Sequence, residues 1–363
     1  MNANTKQLHD LGQSLWVDNI SREMLETGIL ARYIAEWSVT GLTSNPTIFE
    51  HAIGQGNFYN DAIIRLAKLH HSTEDLFFAL ALEDLTTAAD LFRPVFEATN
   101  GLDGWVSLEV SPVLADNAAN TIQAAARLHA TANRPNLFIK IPGTVAGTQA
   151  IEESIFAGIP INVTLLFSQQ QYQNAAEAYL RGIERRIAAG LDPKVRSVAS
   201  LFVSRWDVAV KGDVPPALHN QLGIAIAKRT YRAYRDLLAS PRWLKLAEAG
   251  AWPQQLLWAS TGTKDPTASD TLYIEALAAP DTINTIPEKT LAAFADHGKP
   301  GVALAVDGGD AETVVDAFKR KGINDEVLAA RLQHEGADAF VASWQTLLSS
   351  ITQKRTSLTG GDL

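Results

Sequence analysis

Lys140 is a single charge inside an apolar stretch, LFIKI at residues 137–141. Pro135 precedes the stretch and Pro142-Gly143 follows it, a pattern typical of a strand that is buried on both faces. Burying an unpaired ammonium group is costly, so such a lysine either pairs with a carboxylate or loses its proton. A neutral lysine amine is a nucleophile that can form a Schiff base with a ketone. From this stretch alone, a structural ion pair or a side chain that reaches solvent is the commoner explanation.

Several polar residues that could act together with Lys140 also stand at or near the ends of apolar segments. They are Asp18, Thr43, Asn45, Glu109, Asn162, Thr164, Ser200 and Ser260. Each has an ordinary structural explanation, because an aspartate can cap a helix, an asparagine before proline is common in turns, and a glutamate can neutralise a lysine. Those explanations do not predict that such residues converge from separate strands on one place. Convergence therefore favours a functional site.

The residue types in this set fit the activation of a carbonyl group. Lys140 would add to a ketone and give a carbinolamine, whose loss of water needs an acid. Glu109 could supply that acid through a water molecule held together with Thr164. The resulting iminium withdraws electrons, so a carbon–carbon bond two atoms away can break when a base accepts the proton of the departing hydroxyl group. Asp18 is the candidate base, since carboxyl groups in different surroundings can divide the acid and base roles.

Composition and charge exclude several other classes of site. The chain has no cysteine, which excludes disulfides, zinc–thiolate sites, iron–sulfur clusters and thiol nucleophiles. The histidines show no HExxH or His-x-His spacing, and the carbonyl chemistry needs neither a metal ion nor a cofactor. The net charge of −9 makes binding to nucleic acid or to a membrane surface unexpected. We expect a cytoplasmic protein, because the first residues contain no apolar signal region and no apolar run approaches a membrane span.

An apolar segment followed by a helical pattern recurs along the chain. The predicted strands lie at residues 15–17, 39–43, 105–110, 137–141, 160–167, 197–203, 256–260 and 281–286. Eight strand–helix units over about 290 residues predict a (β/α)8 TIM barrel, an α/β fold with parallel strands. The alternative is a doubly wound open sheet, but no G-x-G-x-x-G motif follows the first strand. In a barrel, the polar residues named above would meet at the carboxyl ends of the strands.

The pattern changes after about residue 298. We predict a catalytic barrel over residues 1–298, with a helical insertion at about 59–98, and a helical extension over residues 299–363 that packs on the barrel. The extension is expected to hold two helices, near 311–321 and 324–350, and a frayed tail from Thr352. Inside the barrel region, Asp265 and Pro266 are expected to begin a helix as its N-cap and first residue.

Six stretches of the sequence resemble the transaldolase family. They are GLTSNPTIF (41–49), VSLEVSP (106–112), LFIKIPGT (137–144), INVTLLFS (161–168), SLFVSRWD (200–207) and LLWASTGTK (256–264). The resemblance is closest to the longer, single-function branch of the family. It implies a barrel of the class I aldolase type with extra helices, acting in the non-oxidative pentose phosphate pathway. The implied activity moves a dihydroxyacetone unit from sedoheptulose 7-phosphate to glyceraldehyde 3-phosphate, giving erythrose 4-phosphate and fructose 6-phosphate without a cofactor.

The resemblance also implies a role for individual residues. Lys140 resembles the Schiff-base lysine and Asp18 the acid/base of bond cleavage, while Glu109 and Thr164 resemble the residues that hold the catalytic water. The expected substrate contacts are Asn45, Asn162, Ser200, Phe202, Arg205 and Lys264. Thr43 and Ser260, which stand at strand ends, are added to this set. Arg205 would bind a phosphate group through its planar guanidinium.

Lys264 stands where many transaldolases carry a second phosphate-binding arginine. It is the expected substitute, and the predicted helix start at Asp265 would also favour an anion. A lysine is a point charge and is not equivalent to an arginine, so this contact departs from the family pattern.

Two other functions remain open at this point. An enzyme of the fructose-6-phosphate aldolase type would release free dihydroxyacetone instead of transferring it to an aldehyde. A non-catalytic sugar-phosphate-binding barrel would lack a catalytic group, yet Asp18, Glu109 and Lys140 are all present. Sugar phosphates are the expected partners in each case, and both a monomer and a homodimer are compatible with the sequence.

Overall fold

The computed structural model describes residues 1–69 and 72–360, and its eight strands form where the sequence has short apolar runs. The strands are β1 (Gln13–Val17), β2 (Val39–Leu42), β3 (Trp105–Glu109), β4 (Leu137–Pro142), β5 (Ile161–Leu166), β6 (Ser197–Phe202), β7 (Gln254–Ala259) and β8 (Thr282–Ile286). Each strand is parallel to its neighbours, and β1 pairs with both β2 and β8, so the sheet closes. The predicted (β/α)8 barrel is confirmed.

Helices connect the strands, because successive parallel strands need a crossover connection. The helices up to β5 are α1 (Ala3–Asp10), α2 (Arg22–Glu26), α3 (Ile29–Glu36), α4 (Pro46–Gly54), α5 (Asn60–Leu66), α6 (Thr73–Ala98), α7 (Ala118–Ala132) and α8 (Val145–Phe156). Those that follow are α9 (Gln169–Ala188), α10 (Ser204–Val210), α11 (Leu222–Ala239), α12 (Pro241–Glu248), α13 (Leu272–Ala276), α14 (Glu288–His297), α15 (Ala311–Lys319) and α16 (Asp325–Thr359). Short 3-10 helices lie at Pro112–Leu114 and Pro216–Leu218.

Side-chain caps fix where many of these helices begin. In each case a hydroxyl or amide oxygen accepts a hydrogen bond from the main-chain N–H three residues later, which satisfies a donor that the first turn leaves free. The capping residues of this kind are Ser21, Asn45, Ser72, Asn117, Thr144 and Ser168. The first turn after a barrel strand is therefore defined locally by the sequence.

The predicted helix at Asp265 is wrong. Oδ1 of Asp265 accepts hydrogen bonds from the main-chain N–H and the hydroxyl group of Thr267, at 3.0 and 2.8 Å, and these bonds close a turn. Helix α13 begins only at Leu272. An aspartate can satisfy its own chain two residues later as readily as it can cap a helix, and here the turn prevails.

The predicted frayed tail from Thr352 is also wrong, because α16 continues through Thr359. Ile351 is buried in the core, and Nζ of Lys354 donates a hydrogen bond to the main-chain oxygen of Gly56 at 2.7 Å. These contacts hold the last turns of α16 on the barrel. Residues 361–363 of the predicted extension, and residues 70 and 71 of the predicted helical insertion, lie outside the described residues.

Aromatic rings fill the barrel near the amino ends of the strands. Trp16, Trp105 and Phe138 pack together there, with the rings of Trp105 and Phe138 stacked at 4.1 Å, and we call these three residues the aromatic plug. Gly41 of β2 lies against it, since a Cβ atom at this position would meet the Trp16 indole at 2.6 Å. The plug fills part of the barrel interior, and glycine at position 41 leaves room for the Trp16 indole.

The helices α15 and α16 pack on the barrel after the last strand. Arg229 of α11 pairs with Glu312 at the start of α15 and with Asp325 at the start of α16. From there α16 runs past the carboxyl end of β5 to pack on α4, α5 and α6. The long C-terminal helix therefore borders the open end of the barrel.

In the described part of the chain, no helix is both long enough and apolar enough to span a bilayer.

Candidate active site

A cavity of about 220 Å³ lies at the carboxyl ends of the barrel strands. The sequence-predicted residues in its wall are Asp18, Thr43, Asn45, Lys140, Thr164, Ser200, Phe202, Arg205, Ser260 and Lys264. The remaining two, Glu109 and Asn162, touch residues of this wall, since Glu109 contacts Lys140 and Asn162 bonds to Ser200. The fold thus brings all the predicted residues to one place.

Lys140 is held inside the barrel by its neighbours. Its side chain is buried, and Nζ lies 3.1 Å from Oε2 of Glu109. Nζ also donates a hydrogen bond to the main-chain oxygen of Ser44 at 3.1 Å. The strand register places Glu109, Lys140 and Asn162 side by side on β3, β4 and β5. The side chain of Lys140 therefore does not reach bulk solvent. The ion pair with a carboxylate, which the sequence left open as an explanation, is present.

Glu109 lies in surroundings that favour its protonated form. Burial raises the pKa of this carboxyl group, the charge of Asp18 raises it further, and the positive charge of Lys140 opposes both effects. Oε2 of Glu109 meets Lys140 only as an ion pair, outside hydrogen-bond geometry, and accepts no hydrogen bond from the described residues. Oγ1 of Thr164 is likewise buried without a partner there. Both oxygens therefore lack a hydrogen-bond partner among the described residues, and a water molecule or a substrate atom could supply one.

Asp18 is oriented by a chain of hydroxyl groups. Oγ1 of Thr43 donates to Oδ1 of Asp18 at 2.7 Å, and Thr43 in turn contacts the hydroxyl group of Thr285. Burial raises the pKa of Asp18, while the charges of Lys140 and Lys264 and the hydrogen bond from Thr43 oppose this rise. Thr285 also lines the cavity, and sequence reasoning missed it because a threonine in an apolar strand carries no distinctive signal.

The floor of the site contains a short amide–hydroxyl network. Oγ of Ser200 donates to Oδ1 of Asn162 at 2.7 Å, and Nδ2 of Asn162 donates to Oγ of Ser107 at 3.1 Å. Asn162 itself is fully buried, so Ser200 is the member of this pair that lines the cavity. Ser107 was not predicted as a site residue. The network fixes the amide orientation and leaves the Ser200 hydroxyl at the cavity surface.

Asn45 and Ser260 each combine a structural contact with a place in the cavity wall. Oδ1 of Asn45 caps α4 by accepting from the main-chain N–H of Ile48 at 3.1 Å. Ser260 has a φ angle of 56°, in the left-handed region, and its hydroxyl group lies 3.0 Å from that of Ser204. Asn45 thus has the structural role of a helix cap and also lies at the site, as predicted.

Two cations at the cavity have no polar partner among residues 1–69 and 72–360. Arg205 makes no hydrogen bond or ion pair there and instead lies over the rings of Phe202 and Phe340, at 5.2 and 6.0 Å from Cζ to the ring centroids. Burial lowers the pKa of Arg205. Lys264 is exposed at the cavity edge. Unpaired cations in one cavity make a site suited to an anionic group.

The helix α16 supplies residues that the sequence did not predict. Phe340 lines the cavity, and Nε2 of Gln333 donates to the main-chain oxygens of Gly143 and Leu165, at 3.1 and 2.9 Å. Leu165 has a φ angle of 58°, and the pairing of β5 with β6 shifts register there, as in a β-bulge. Nothing in the local sequence of α16 distinguishes Phe340 from a core residue, so only the fold reveals it.

No group of three or more histidine, aspartate or glutamate side chains in the described part of the chain is arranged to hold a metal ion. The polar groups of the cavity are a lysine amine, carboxyl groups, hydroxyl groups, amides and an arginine. This set suits covalent chemistry on a carbonyl compound that carries an anionic group.

Comparison with known proteins gives consistent matches along nearly the whole chain. The family described as transaldolase/fructose-6-phosphate aldolase matches residues 15–351, which includes α15 and most of α16. A transaldolase from Thiobacillus denitrificans is 44% identical over 355 residues, covering 96% of this chain and 99% of that protein. Transaldolases from Arthrobacter sp. and Thermobifida fusca are each 43% identical, covering 97% and 98% of this chain and 97% and 99% of those proteins.

Proposed function

The chain belongs to the transaldolase/fructose-6-phosphate aldolase family, and from that premise we propose how its residues carry out the transaldolase reaction. The enzyme moves a dihydroxyacetone unit from sedoheptulose 7-phosphate to glyceraldehyde 3-phosphate, which gives erythrose 4-phosphate and fructose 6-phosphate. The observation that carries the assignment of roles is the buried amine of Lys140, 3.1 Å from Glu109, in a cavity that also holds Asp18 and two unpaired cations.

Lys140 is the nucleophile in this proposal. Its neutral amine adds to the ketone carbon of the donor sugar and forms a carbinolamine, which then loses water to give an iminium. Proton transfer in these steps is assigned to Glu109, because its carboxyl group lies 3.1 Å from the reacting amine and burial raises its pKa. The free oxygens of Glu109 and Thr164 support a shared water molecule as the carrier of that proton.

Asp18 is the base of carbon–carbon bond cleavage. The iminium accepts the electron pair of the breaking bond, and the departing fragment becomes an aldehyde once its hydroxyl group gives up a proton. Asp18 lines the same cavity as Lys140, and the hydrogen bond from Thr43 favours its ionised form. After the acceptor aldehyde binds, the same residue returns the proton to the new hydroxyl group.

Arg205 and Lys264 bind the phosphate group of the sugars. A guanidinium without protein partners keeps all its donors for a ligand, and burial strengthens its interaction with an anion. Lys264 adds a second charge from the exposed edge. The turn at Asp265 removes the predicted helix start, so the support for Lys264 as a phosphate ligand rests on its charge and its place in the cavity wall.

The neutral polar residues of the wall contact the hydroxyl groups of the dihydroxyacetone unit. Asn45, Ser200 and Ser260 line the cavity beside Lys140, where the Asn45 amide N–H groups can donate to sugar hydroxyl groups and the hydroxyl oxygen of Ser200 can accept from them. Asn162 acts from behind Ser200 through their 2.7 Å hydrogen bond, and Thr43 acts mainly on Asp18. Phe202 supplies an apolar wall.

Borohydride reduction in the presence of fructose 6-phosphate tests the role of Lys140. We expect an irreversible three-carbon adduct on the peptide that contains Lys140, located by mass spectrometry. Lys140→Ala should form no adduct and lose at least about 10⁴-fold in turnover. The exposed Lys299 offers a matched control, and Lys299→Ala should keep both adduct and turnover. An adduct on another residue, or normal turnover in Lys140→Ala, would contradict the proposed mechanism.

A further inference from the structure

The helix α16 is fastened on two sides of the cavity. On one side, Gln333 bonds to the main chain of Gly143 and Leu165 at the ends of β4 and β5. On the other side, the hydroxyl group of Thr47 in α4 donates to Oγ of Ser343 at 2.8 Å. The turns of α16 between these two anchors therefore lie over the open end of the barrel in a fixed position.

Gly336 lies between the two anchors and lets α16 approach the site closely. A Cβ atom at this position would be 3.0 Å from Cδ2 of Leu165 and 3.1 Å from Nη1 of Arg205. Glycine inside a helix is destabilising by about 1 kcal/mol relative to alanine, so its presence here has a packing reason. The close approach brings the next residue on the same helical face, Phe340, toward the cavity.

The ring of Phe340 is close to both the reacting amine and the cation assigned to phosphate. Its centroid is 5.7 Å from Nζ of Lys140 and 6.0 Å from Cζ of Arg205. The side chain is 5% exposed and forms part of the cavity wall. A ring face in this position attracts positive charge on the Lys140 nitrogen and occupies space that water would otherwise fill.

We propose that Phe340 is a positioning residue that determines how the covalent intermediate is consumed. This inference rests on the transaldolase function proposed above. Cleavage of the donor leaves dihydroxyacetone on Lys140 as an enamine. With Phe340 in place, the ring shields the enamine from solvent until an aldehyde arrives, so transfer is faster than release.

Two routes compete for this enamine. In transfer, the enamine carbon bonds to the carbonyl carbon of the acceptor, the acceptor oxygen takes a proton, and water then hydrolyses the resulting iminium. In release, the enamine carbon takes a proton from solvent, water adds to the iminium carbon, and the carbon–nitrogen bond breaks to give free dihydroxyacetone and the Lys140 amine. The two routes differ in whether an aldehyde or a proton bonds to the same carbon, and solvent access favours the second.

The test is the ratio of two rates measured on the full chain. Release is the rate at which dihydroxyacetone forms from fructose 6-phosphate alone, and transfer is the rate at which sedoheptulose 7-phosphate forms when erythrose 4-phosphate is added. We expect Phe340→Leu to raise the ratio of release to transfer by roughly 5- to 30-fold. Phe340→Met, whose side chain is similar in volume to leucine but more flexible, should change the ratio in the same direction and serves if the leucine variant folds poorly.

Trp344 offers a matched control on the same helix. It lies one turn beyond Phe340 and packs on Phe77 and Phe78 of α6, at 4.9 and 5.7 Å between ring centroids, away from the cavity. Trp344→Leu should lower the melting temperature and leave the ratio within about twofold. An equal rise of the ratio in this variant would overturn the proposal, because loosening of α16 alone would then explain the effect.

Borohydride trapping separates failure of this inference from failure of the function itself. If Phe340→Leu still gives the Lys140 adduct but has an unchanged ratio, the inference about Phe340 is wrong and the transaldolase assignment stands. If the unmodified protein gives no adduct at Lys140, the proposed function is wrong as well. Deuterium from heavy water in the released dihydroxyacetone would report protonation of the enamine directly.

Discussion

Two arginines at opposite ends of β6 have opposite surroundings. Arg196 precedes the strand, and Arg205 follows it in α10; burial lowers the pKa of both. Arg196 donates to the main-chain oxygen of Leu102 at 2.9 Å and to the side-chain oxygen of Gln255. Arg205 makes no hydrogen bond or ion pair in the described part of the protein and lies over the rings of Phe202 and Phe340. The guanidinium of Arg196 is hydrogen-bonded within the protein, whereas that of Arg205 keeps its donors unpaired there, as the proposed phosphate contact requires.

Two buried aspartates show the same contrast. Asp103, near the amino ends of the strands, accepts hydrogen bonds from the Trp16 indole at 2.8 Å and from the Gly104 main-chain N–H at 3.0 Å. Asp18, at the carboxyl ends, accepts one from Thr43 and otherwise faces the cavity. Burial raises the pKa of both carboxyl groups. Charged groups at the amino end therefore stabilise the fold, and those at the carboxyl end are available for chemistry.

The largest expected effect of this contrast is on stability. Arg196→Leu leaves the carbonyl oxygen of Leu102 and the amide oxygen of Gln255 without their donor, and each buried group without a partner is costly. We expect the free energy of unfolding in denaturant to fall by roughly 2–4 kcal/mol. The KM for fructose 6-phosphate should stay within about twofold at temperatures where the variant is folded. A large rise in KM with normal stability would contradict the proposal that charged groups at the amino ends of the strands act on stability and those at the carboxyl ends on catalysis.

The matching change at the other end should affect catalysis instead. Arg205→Leu removes a cation that makes no hydrogen bond or ion pair within residues 1–69 and 72–360, so the free energy of unfolding should change by less than about 1 kcal/mol. The loss of charge-assisted hydrogen bonds to phosphate should lower kcat/KM for fructose 6-phosphate by roughly 30- to 100-fold. Unphosphorylated fructose is the control substrate, and an equal loss with it would mean that Arg205 does not act on phosphate.

The sequence predicted the carboxyl-end residues because their signals are local. Lys140 is recognisable as a charge within an apolar run, and Asp18 as a polar residue where such a run ends. Both signals belong to a barrel strand and do not depend on residues elsewhere in the chain. The closed barrel then brings these positions together without further information. The predicted helix at Asp265 failed for the same local reason, since one residue type can cap a helix or close a turn.

Phe340 and Thr285 could not be predicted in this way. A phenylalanine in a long helix and a threonine in a buried strand are typical core residues, and their place in the site depends on how distant elements pack. The two anchors of α16 join residues far apart in the chain, Gln333 with Leu165 and Ser343 with Thr47. Such contacts follow from the tertiary structure and have no periodic pattern in the sequence.

The smallest expected effect concerns the pH dependence of the two aspartates. The hydrogen bond from Thr43 lowers the pKa of Asp18, so Thr43→Val should raise this pKa further above its ordinary value. Asp18 must be ionised to accept a proton, and a higher pKa leaves less of the active form on the acid side. The acid limb of the kcat profile should therefore move to higher pH by about 0.5–1 unit.

Thr40 of β2, three residues before Thr43, is the matched control for this shift, because its hydroxyl group acts on Asp103 and lowers the pKa of that carboxyl group instead. Thr40→Val should leave the acid limb where it is, although it removes the same chemical group from β2. Measuring kcat against pH for both variants separates a change in the ionisation of Asp18 from general effects of the substitutions on the barrel. A shift of equal size in both variants, or a shift to lower pH in Thr43→Val, would show that the acid limb does not report the ionisation of Asp18.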